Sequence, residues 1–191
     1  MPLFSKNETI RSDEELMSLL TKGGQSAFDE LYERYSKPLL NFFYRMLDRD
    51  RERAEDMLHD LFLKIIEKPE FYDSTRSFRA WFYTLAGNMV RNEFRSREVS
   101  KAYGRKLSAQ PEEFMDGPEA ALDRELFEQR LQGVVDRFEP EQKLLFKLRF
   151  VEEMTIFQIA EIMECAEGTV KSRLFHLTRQ MARKLLIYKP L

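Results

Sequence analysis

The chain has 191 residues, 43% of them hydrophobic and 34% charged, with a net charge of −2. That length suits one domain or two small ones, and the near-balanced charge argues on average neither for nor against a nucleic-acid partner. A single cysteine, Cys165, excludes an internal disulfide framework, and two histidines and one cysteine, widely spaced, make no zinc site.

The charge is unevenly spread. Residues 79–106 carry seven Lys/Arg against two Asp/Glu, residues 167–191 carry six against one, and residues 108–128 carry one against seven. Two basic blocks separated by an acidic one point to two nucleic-acid contacts on a chain that balances itself. No apolar run approaches membrane-spanning length, and the first residues lack a signal-peptide core. The expectation is a cytoplasmic protein without membrane insertion and without cofactors.

Residues 1–11 read as a tail. Ser12 with Glu15 forms a capping box that opens a short helix through Leu20. Gly23 and Gly24 break it. Ser26 is expected to cap the next helix, with Phe28, Leu31, Tyr32 and Tyr35 inward and a boundary at Pro38. A strongly apolar, aromatic segment follows over 39–47. The spacing then predicts a helix over 51–67 with Ala54, Met57, Leu58, Leu61 and Ile65 as its core stripe. Its far side holds Glu52, Asp56, Asp60 and Glu67, with His59 at the edge and Leu63 alone among the acids. An acidic face is ordinarily a solvated face, but a lone leucine in it offers an apolar anchor inside a charged rim.

Residues 68–77 form a loop containing Phe71 and Tyr72. The segment 78–97, FRAWFYTLAGNMVRNEFRSR, is expected to be helical with Phe78, Trp81, Phe82, Leu85 and Met89 inward. Thr84, Asn88, Arg91 and Arg95 line up on an adjoining face, with Asn92 four residues from Asn88. Aromatics beside cations are what single-strand binding needs, stacking on bases while neutralising phosphates. Residues 99–118 are polar, hold Pro111 and Gly117, and read as a flexible linker. A helix over 119–138 and another beginning at Pro140, carrying Leu144, Leu145, Leu148 and Val151, lead to the C-terminal motif.

That motif spans residues 155–187. Thr155 and Gln158 make a second capping box, followed by Ile156, Ile159, Ala160 and Met163 at helical spacing. A break at 164–168 is expected to use Gly168 for its backbone freedom. Beyond it Val170, Leu174, Leu177, Met181 and Leu185 trace one apolar stripe. The opposite face holds Ser172, Phe175, His176, Arg179 and Arg183, with Thr169, Lys171 and Arg173 on the flanks. A short helix, a tight turn and a longer helix with a basic outer face describe a helix-turn-helix facing duplex DNA. Phe175 strengthens that reading: core packing does not explain it, and an apolar group there can meet a thymine methyl. The fold class expected is all-α: two small helical domains, 12–98 and 119–191, joined by the linker.

Three blocks in order, AFDELYERY at 27–35, AEDMLHDLFLKII at 54–66 with FRAWFYTLAGNMVRNEFRSR at 78–97, and EQKLLFKLRFVEEMTIFQIAEIMECAEGTVKSRL at 141–174, resemble a bacterial RNA polymerase sigma factor of the extracytoplasmic-function group. The resemblance implies that the first domain (region 2) binds the polymerase clamp and the melted −10 element, and the second (region 4) the −35 duplex and the polymerase flap. Carried onto matching positions, Asp56, His59, Asp60 and Leu63 become the polymerase-binding surface. Tyr72, Asn88, Arg91, Asn92 and Arg95 become the −10 set. Lys171, Ser172, Phe175 and His176 approach −35 bases, beside Thr169, with Arg173, Arg179 and Arg183 nearer phosphates. The implied partners are core RNA polymerase, promoter DNA and an anti-sigma factor, with a monomer when free. Many members carry a glycine where this chain has Glu164, and His176-Leu177 replaces a commonly basic pair.

Two other readings compete. A free-standing helix-turn-helix regulator would need neither the Leu63 face nor the Asn88/Asn92 block. A DNA-processing enzyme would need a nucleophile with activating partners, and the serines are scattered in caps and loops. No catalytic residue is expected.

Overall fold

The computed structural model describes residues 11–102 and 119–186, and among these every regular element is helical. The chain runs through α1 (Asp13–Leu20), α2 (Gln25–Met46), α3 (Arg51–Glu67), a single 3₁₀ turn (Pro69–Phe71), and α4 (Phe78–Ala102). It resumes in α5 (Glu119–Asp136), α6 (Pro140–Phe146) continued by a π-helical turn (Lys147–Val151), α7 (Ile156–Ile162) and α8 (Glu167–Leu186).

Local chemistry sets most boundaries. Both capping boxes form: the Ser12 hydroxyl accepts from the Glu15 amide while the Glu15 carboxylate accepts from the Ser12 amide, and Thr155 and Gln158 do the same. Asp50 caps α3 by accepting from the Arg53 amide, and Pro140 occupies the first turn of α6, where its missing N–H costs nothing.

Several expectations are corrected. Ser26 does not cap α2, which begins at Gln25 behind Gly24 with no side-chain cap. Nor does Pro38 end a helix; α2 runs through it. A proline in mid-helix costs about 3 kcal/mol. On either side Leu31 and Tyr35, then Leu39, Phe42, Phe43 and Met46, are buried along one stripe. Each such side chain contributes roughly 1.5–3 kcal/mol, so continuity wins. Tyr32, expected inward, is exposed, as is Val151 at the end of the π-helical turn, while Met154 just beyond it is buried. Helix α4 extends to Ala102, into the stretch assigned to the linker; residues 103–118 lie outside the described ones.

In the first unit α2 packs on α1 and α3, and α4 closes the bundle around a cluster of aromatic rings. Phe82 sits at its centre, with Tyr35, Phe62 and Phe78 at ring separations of 5.6, 5.4 and 5.1 Å. In the second unit α8 packs across α5, α6 and α7 through Val170 and Leu177. The two units also pack on each other: α4 lies against α6 and α7, and α2 against α6. Their buried apolar residues form one continuous cluster.

Candidate nucleic-acid interface

The helix-turn-helix forms from its sequence signals, with one exchange of roles. The turn residue in the left-handed region is Glu164 (φ 52°), whereas Gly168 lies inside the first turn of α8 with an ordinary φ. Glu164 thus takes the conformation that a glycine would adopt without strain. Its amide donates to Glu161 O, and the Cys165 amide donates to Ala160 O at 3.0 Å, closing the turn.

Burial of Val170 and Leu177 fixes the rotation of α8. The opposite face then points outward as expected: Lys171, Ser172, Arg173, His176, Arg179 and Arg183 are exposed, Thr169 is half-buried, and Phe175 is 60% exposed. The Phe175 and His176 rings meet edge to face at 5.6 Å. His176, Arg179, Gln180, Arg183 and Lys184 border a shallow concavity on this face. The result is an aromatic edge set among four cations, Lys171, Arg173, Arg179 and Arg183, on an exposed helix face.

The Tyr72, Asn88 and Arg91 group is divided. Tyr72 packs its ring on Trp81 at 5.1 Å and on Phe78 at 5.6 Å, and its hydroxyl donates to Arg76 O at 2.6 Å. Burial, then the nearby Glu14 carboxylate, pushes that phenol up to about 12. Asn92 and Arg95 are exposed. Asn88 and Arg91 are half-buried: Arg91 donates to the Asn88 side chain, and it also donates to Ile162 O on α7 at 3.2 Å. Beside it on α4, Glu93 accepts from Arg53 at 2.8 Å and from Arg97 at 3.0 Å. The Arg53 hydrogen bond, then that from Arg97, holds this carboxylate below its usual range despite burial.

On α3, Asp56, His59, Asp60 and Leu63 are all exposed, with Leu63 at 37%. The sequence reading missed their neighbours. Ile66, one turn beyond Leu63, is 46% exposed. Tyr32 is 45% exposed and lies 4.8 Å ring to ring from Phe62, at the edge of the same face. The spacing of Ile66 from Leu63 was a signal available in the sequence; Tyr32 was hidden by its fit to the apolar stripe of α2.

Among the described residues no cluster of His, Cys, Asp and Glu could hold a metal ion, and no helix is long and apolar enough to cross a membrane. The site offers cations, amides and aromatic faces.

Comparison with known proteins accounts for this combination. The family description "Sigma-70 region 2" matches residues 31–99, and "Sigma-70, region 4" matches residues 128–181. The ECF RNA polymerase sigma factor SigL of Mycobacterium tuberculosis is 32% identical over 154 residues, covering 79% of this chain and 84% of that protein. The ECF RNA polymerase sigma factor BldN of Streptomyces coelicolor is 29% identical over 174 residues, which is 90% of this chain but only 65% of that longer relative. In fold, the chain is similar to CnrH, solved in complex with the cytosolic domain of CnrY, with a TM-score of 0.69 and 17% identity over 94% of this chain and 100% of that one. The two helical units, in this order and with these matches, place the chain in the extracytoplasmic-function group of the sigma-70 family of RNA polymerase sigma factors.

Proposed function

We propose that the protein binds core RNA polymerase and directs it to promoters, with α8 reading the −35 duplex and α4 capturing melted −10 bases. The observation that carries this reading is the outer face of α8, where Phe175 stands exposed among Lys171, Arg173, Arg179 and Arg183. An α-helix fits the major groove of B-DNA, and cations flanking an apolar group divide its work: phosphate contacts set the register while the centre meets base edges. Lys171, Ser172, Phe175 and His176 are assigned to bases, with Thr169 beside them, and Arg173, Arg179 and Arg183 to phosphates.

On α4, Asn88 and Asn92 are assigned to unpaired bases, Arg91 and Arg95 to the strand's phosphates, and Tyr72 to the wall of a base pocket. Each base stacked on an aromatic surface contributes roughly 1–3 kcal/mol, so a few captured bases offset local melting without ATP. Asp56, His59, Asp60 and Leu63 are assigned to the polymerase clamp. An anti-sigma factor is a further expected partner, since CnrH was solved bound to CnrY. The protein is expected to act in the cytoplasm, as a monomer when free and as a specificity subunit without catalysis of its own.

Run-off transcription from a library of promoter fragments, with sigma-free core polymerase, tests this. Defined start sites that appear only on adding the protein are expected. Tight binding of duplex DNA by the protein alone, with no transcription, would instead support a free-standing regulator.

A further inference from the structure

Lys147, where α6 passes into the π-helical turn, is the one charged residue buried among the described ones, at 4% exposure. Elsewhere in the molecule, shielded charges are matched. Arg34 pairs with Asp13 at 2.6 Å and Glu30 at 2.5 Å, and Glu93 with Arg53 at 2.8 Å and Arg97 at 3.0 Å. Lys147 makes no hydrogen bond or ion pair among the described residues, and its ammonium lies 5.6 Å from the centre of the Phe146 ring. Burying an ammonium without an ion pair costs stability, so packing alone gives no reason for a lysine here.

Its surroundings deepen the imbalance. Lys143, one turn earlier on the same face of α6, reaches Asp48 at 3.2 Å on the turn that follows α2. That face of α6 therefore looks onto the end of α2, where Arg45 stands one turn before Arg49 and both are exposed. Arg97 approaches the other oxygen of Asp48 at 3.9 Å, so this carboxylate is already shared between two cations. Arg45, Lys143 and Arg49 all act on Lys147 as like charges, against Asp136 at the end of α5, which accepts from Gln132 at 2.7 Å. A buried ammonium with exposed guanidinium groups beside it is a donor set for a tetrahedral oxyanion. A guanidinium fork takes two of its oxygens and an ammonium a third, and burial strengthens each bond.

We propose that Lys147, Arg45 and Arg49, with Lys143 at the edge, form a binding site for a doubly charged phosphate, either the free ion or the terminal phosphate of a nucleotide. None of these residues belongs to the sets assigned to DNA or to the polymerase, and the site does not rest on the promoter reading. A nucleic-acid phosphodiester carries a single charge and is flanked by sugars on both sides, so a terminal monoester is the better fit to a lysine this buried.

The test is thermal unfolding of the full chain in phosphate-free buffer at pH 7, with inorganic phosphate, sulfate or, at matched ionic strength, chloride added. A tenfold excess of phosphate over its Kd is expected to raise Tm by about 3–6 °C, with sulfate similar and chloride without effect. Lys147→Met removes the buried charge at nearly constant volume and should abolish the phosphate response in a well-folded protein. Arg45→Gln with Arg49→Gln, on the exposed side, should weaken phosphate binding at least tenfold. Sulfate keeps its charge across the range, yet should bind about tenfold more weakly at pH 9 than at pH 7. Burial and the like charges of Arg45, Lys143 and Arg49 lower Lys147 to about 8, so it has released its proton there. Adenosine monophosphate matching phosphate would extend the site to nucleotides, and a response to phosphate alone would assign it to the free ion. Equal phosphate responses in the parent and Lys147→Met, or a chloride response as large as that to phosphate, would overturn the site.

Discussion

Tyr83, in the second turn of α4, donates its hydroxyl to the Glu152 carboxylate at 2.5 Å and so ties the two helical units through a nearly buried pair. Burial first, then the Glu152 hydrogen bond, raises this phenol above its ordinary range, so the folded state demands that it stay neutral. A group raised in this way lends stability that is complete below its unfolded pKa of about 10 and is lost as pH climbs beyond it. Tyr83→Phe removes both the bond and the titration. At pH 7 the variant is expected to lose about 1.5–3 kcal/mol in urea unfolding, the range for a hydrogen bond to a charged group. The gap to the parent should close above pH about 10. A gap that stays constant across that range would mean the hydroxyl is not held neutral by the fold.

Lys147 gives the opposite slope. It is 4% exposed at the start of the π-helical turn, with its ammonium 5.6 Å from the Phe146 ring. Burial first, then Arg45, Lys143 and Arg49 as like charges, lowers it to about 8, against a favourable pull from Asp136. Below pH 8 it is charged both folded and unfolded, and the folded state carries the whole penalty. Between about 8 and 10.5 the penalty fades as the folded form releases its proton more readily. Lys147→Met is expected to stabilise the protein at pH 7 by on the order of 2 kcal/mol, with the gain vanishing near pH 10. Thermal unfolding of both proteins at the two pH values checks it.

Replacing two central residues of the outer face tests the division of labour proposed for α8. Lys171→Ala with His176→Ala should cost roughly 1–3 kcal/mol per lost base contact, hence about 5- to 150-fold in promoter activity for each contact. The loss is expected only on promoters that keep their −35 element. Equal loss on promoters lacking it would place these residues elsewhere in the mechanism.

Leu63, which has the exposed Ile66 and Tyr32 near it, belongs to the surface proposed to meet the polymerase. Leu63→Glu puts a charge at its centre without touching the core, because Leu61, Phe62 and Ile65 are the buried residues of that turn. Core-polymerase affinity is expected to fall at least tenfold, about 1.4 kcal/mol, with the melting temperature unchanged. Parental affinity would move the polymerase contact to another face.

What the sequence made legible was local. The Ser12–Glu15 and Thr155–Gln158 boxes are three-residue signals, and both form. The bounds of α3 followed from an apolar stripe that needs no knowledge of its partners, while the Asp50 cap ahead of it was not read from the sequence. The outer face of α8 followed from rotation alone, since burying Val170 and Leu177 leaves no choice for Phe175 and His176. Long-range terms were hidden. Pro38 reads as a stop until the burial on both its sides is known. Tyr83, Glu152 and Ile162 carry no pattern that pairs them, because their contact spans about seventy residues and depends on how two units dock. Asn88 and Arg91 could be named from the helix face, but not their cover.

Glu164 offers the sharpest test of how that docking weighs against backbone strain. Its φ of 52° is a conformation that costs a non-glycine residue about 1–2 kcal/mol. Glycine would remove this strain at the expense of greater freedom in the unfolded chain, roughly 0.5–1 kcal/mol. The side chain that would be lost reaches Arg91 at 3.7 Å, but it is 67% exposed, and such pairs contribute little. Glu164→Gly is therefore expected to stabilise the protein by about 0.5–1 kcal/mol in thermal unfolding, with the helix-turn-helix intact. Loss of stability instead would mean that the Arg91 pair outweighs the strain, and that the glutamate is held in the turn by the first helical unit.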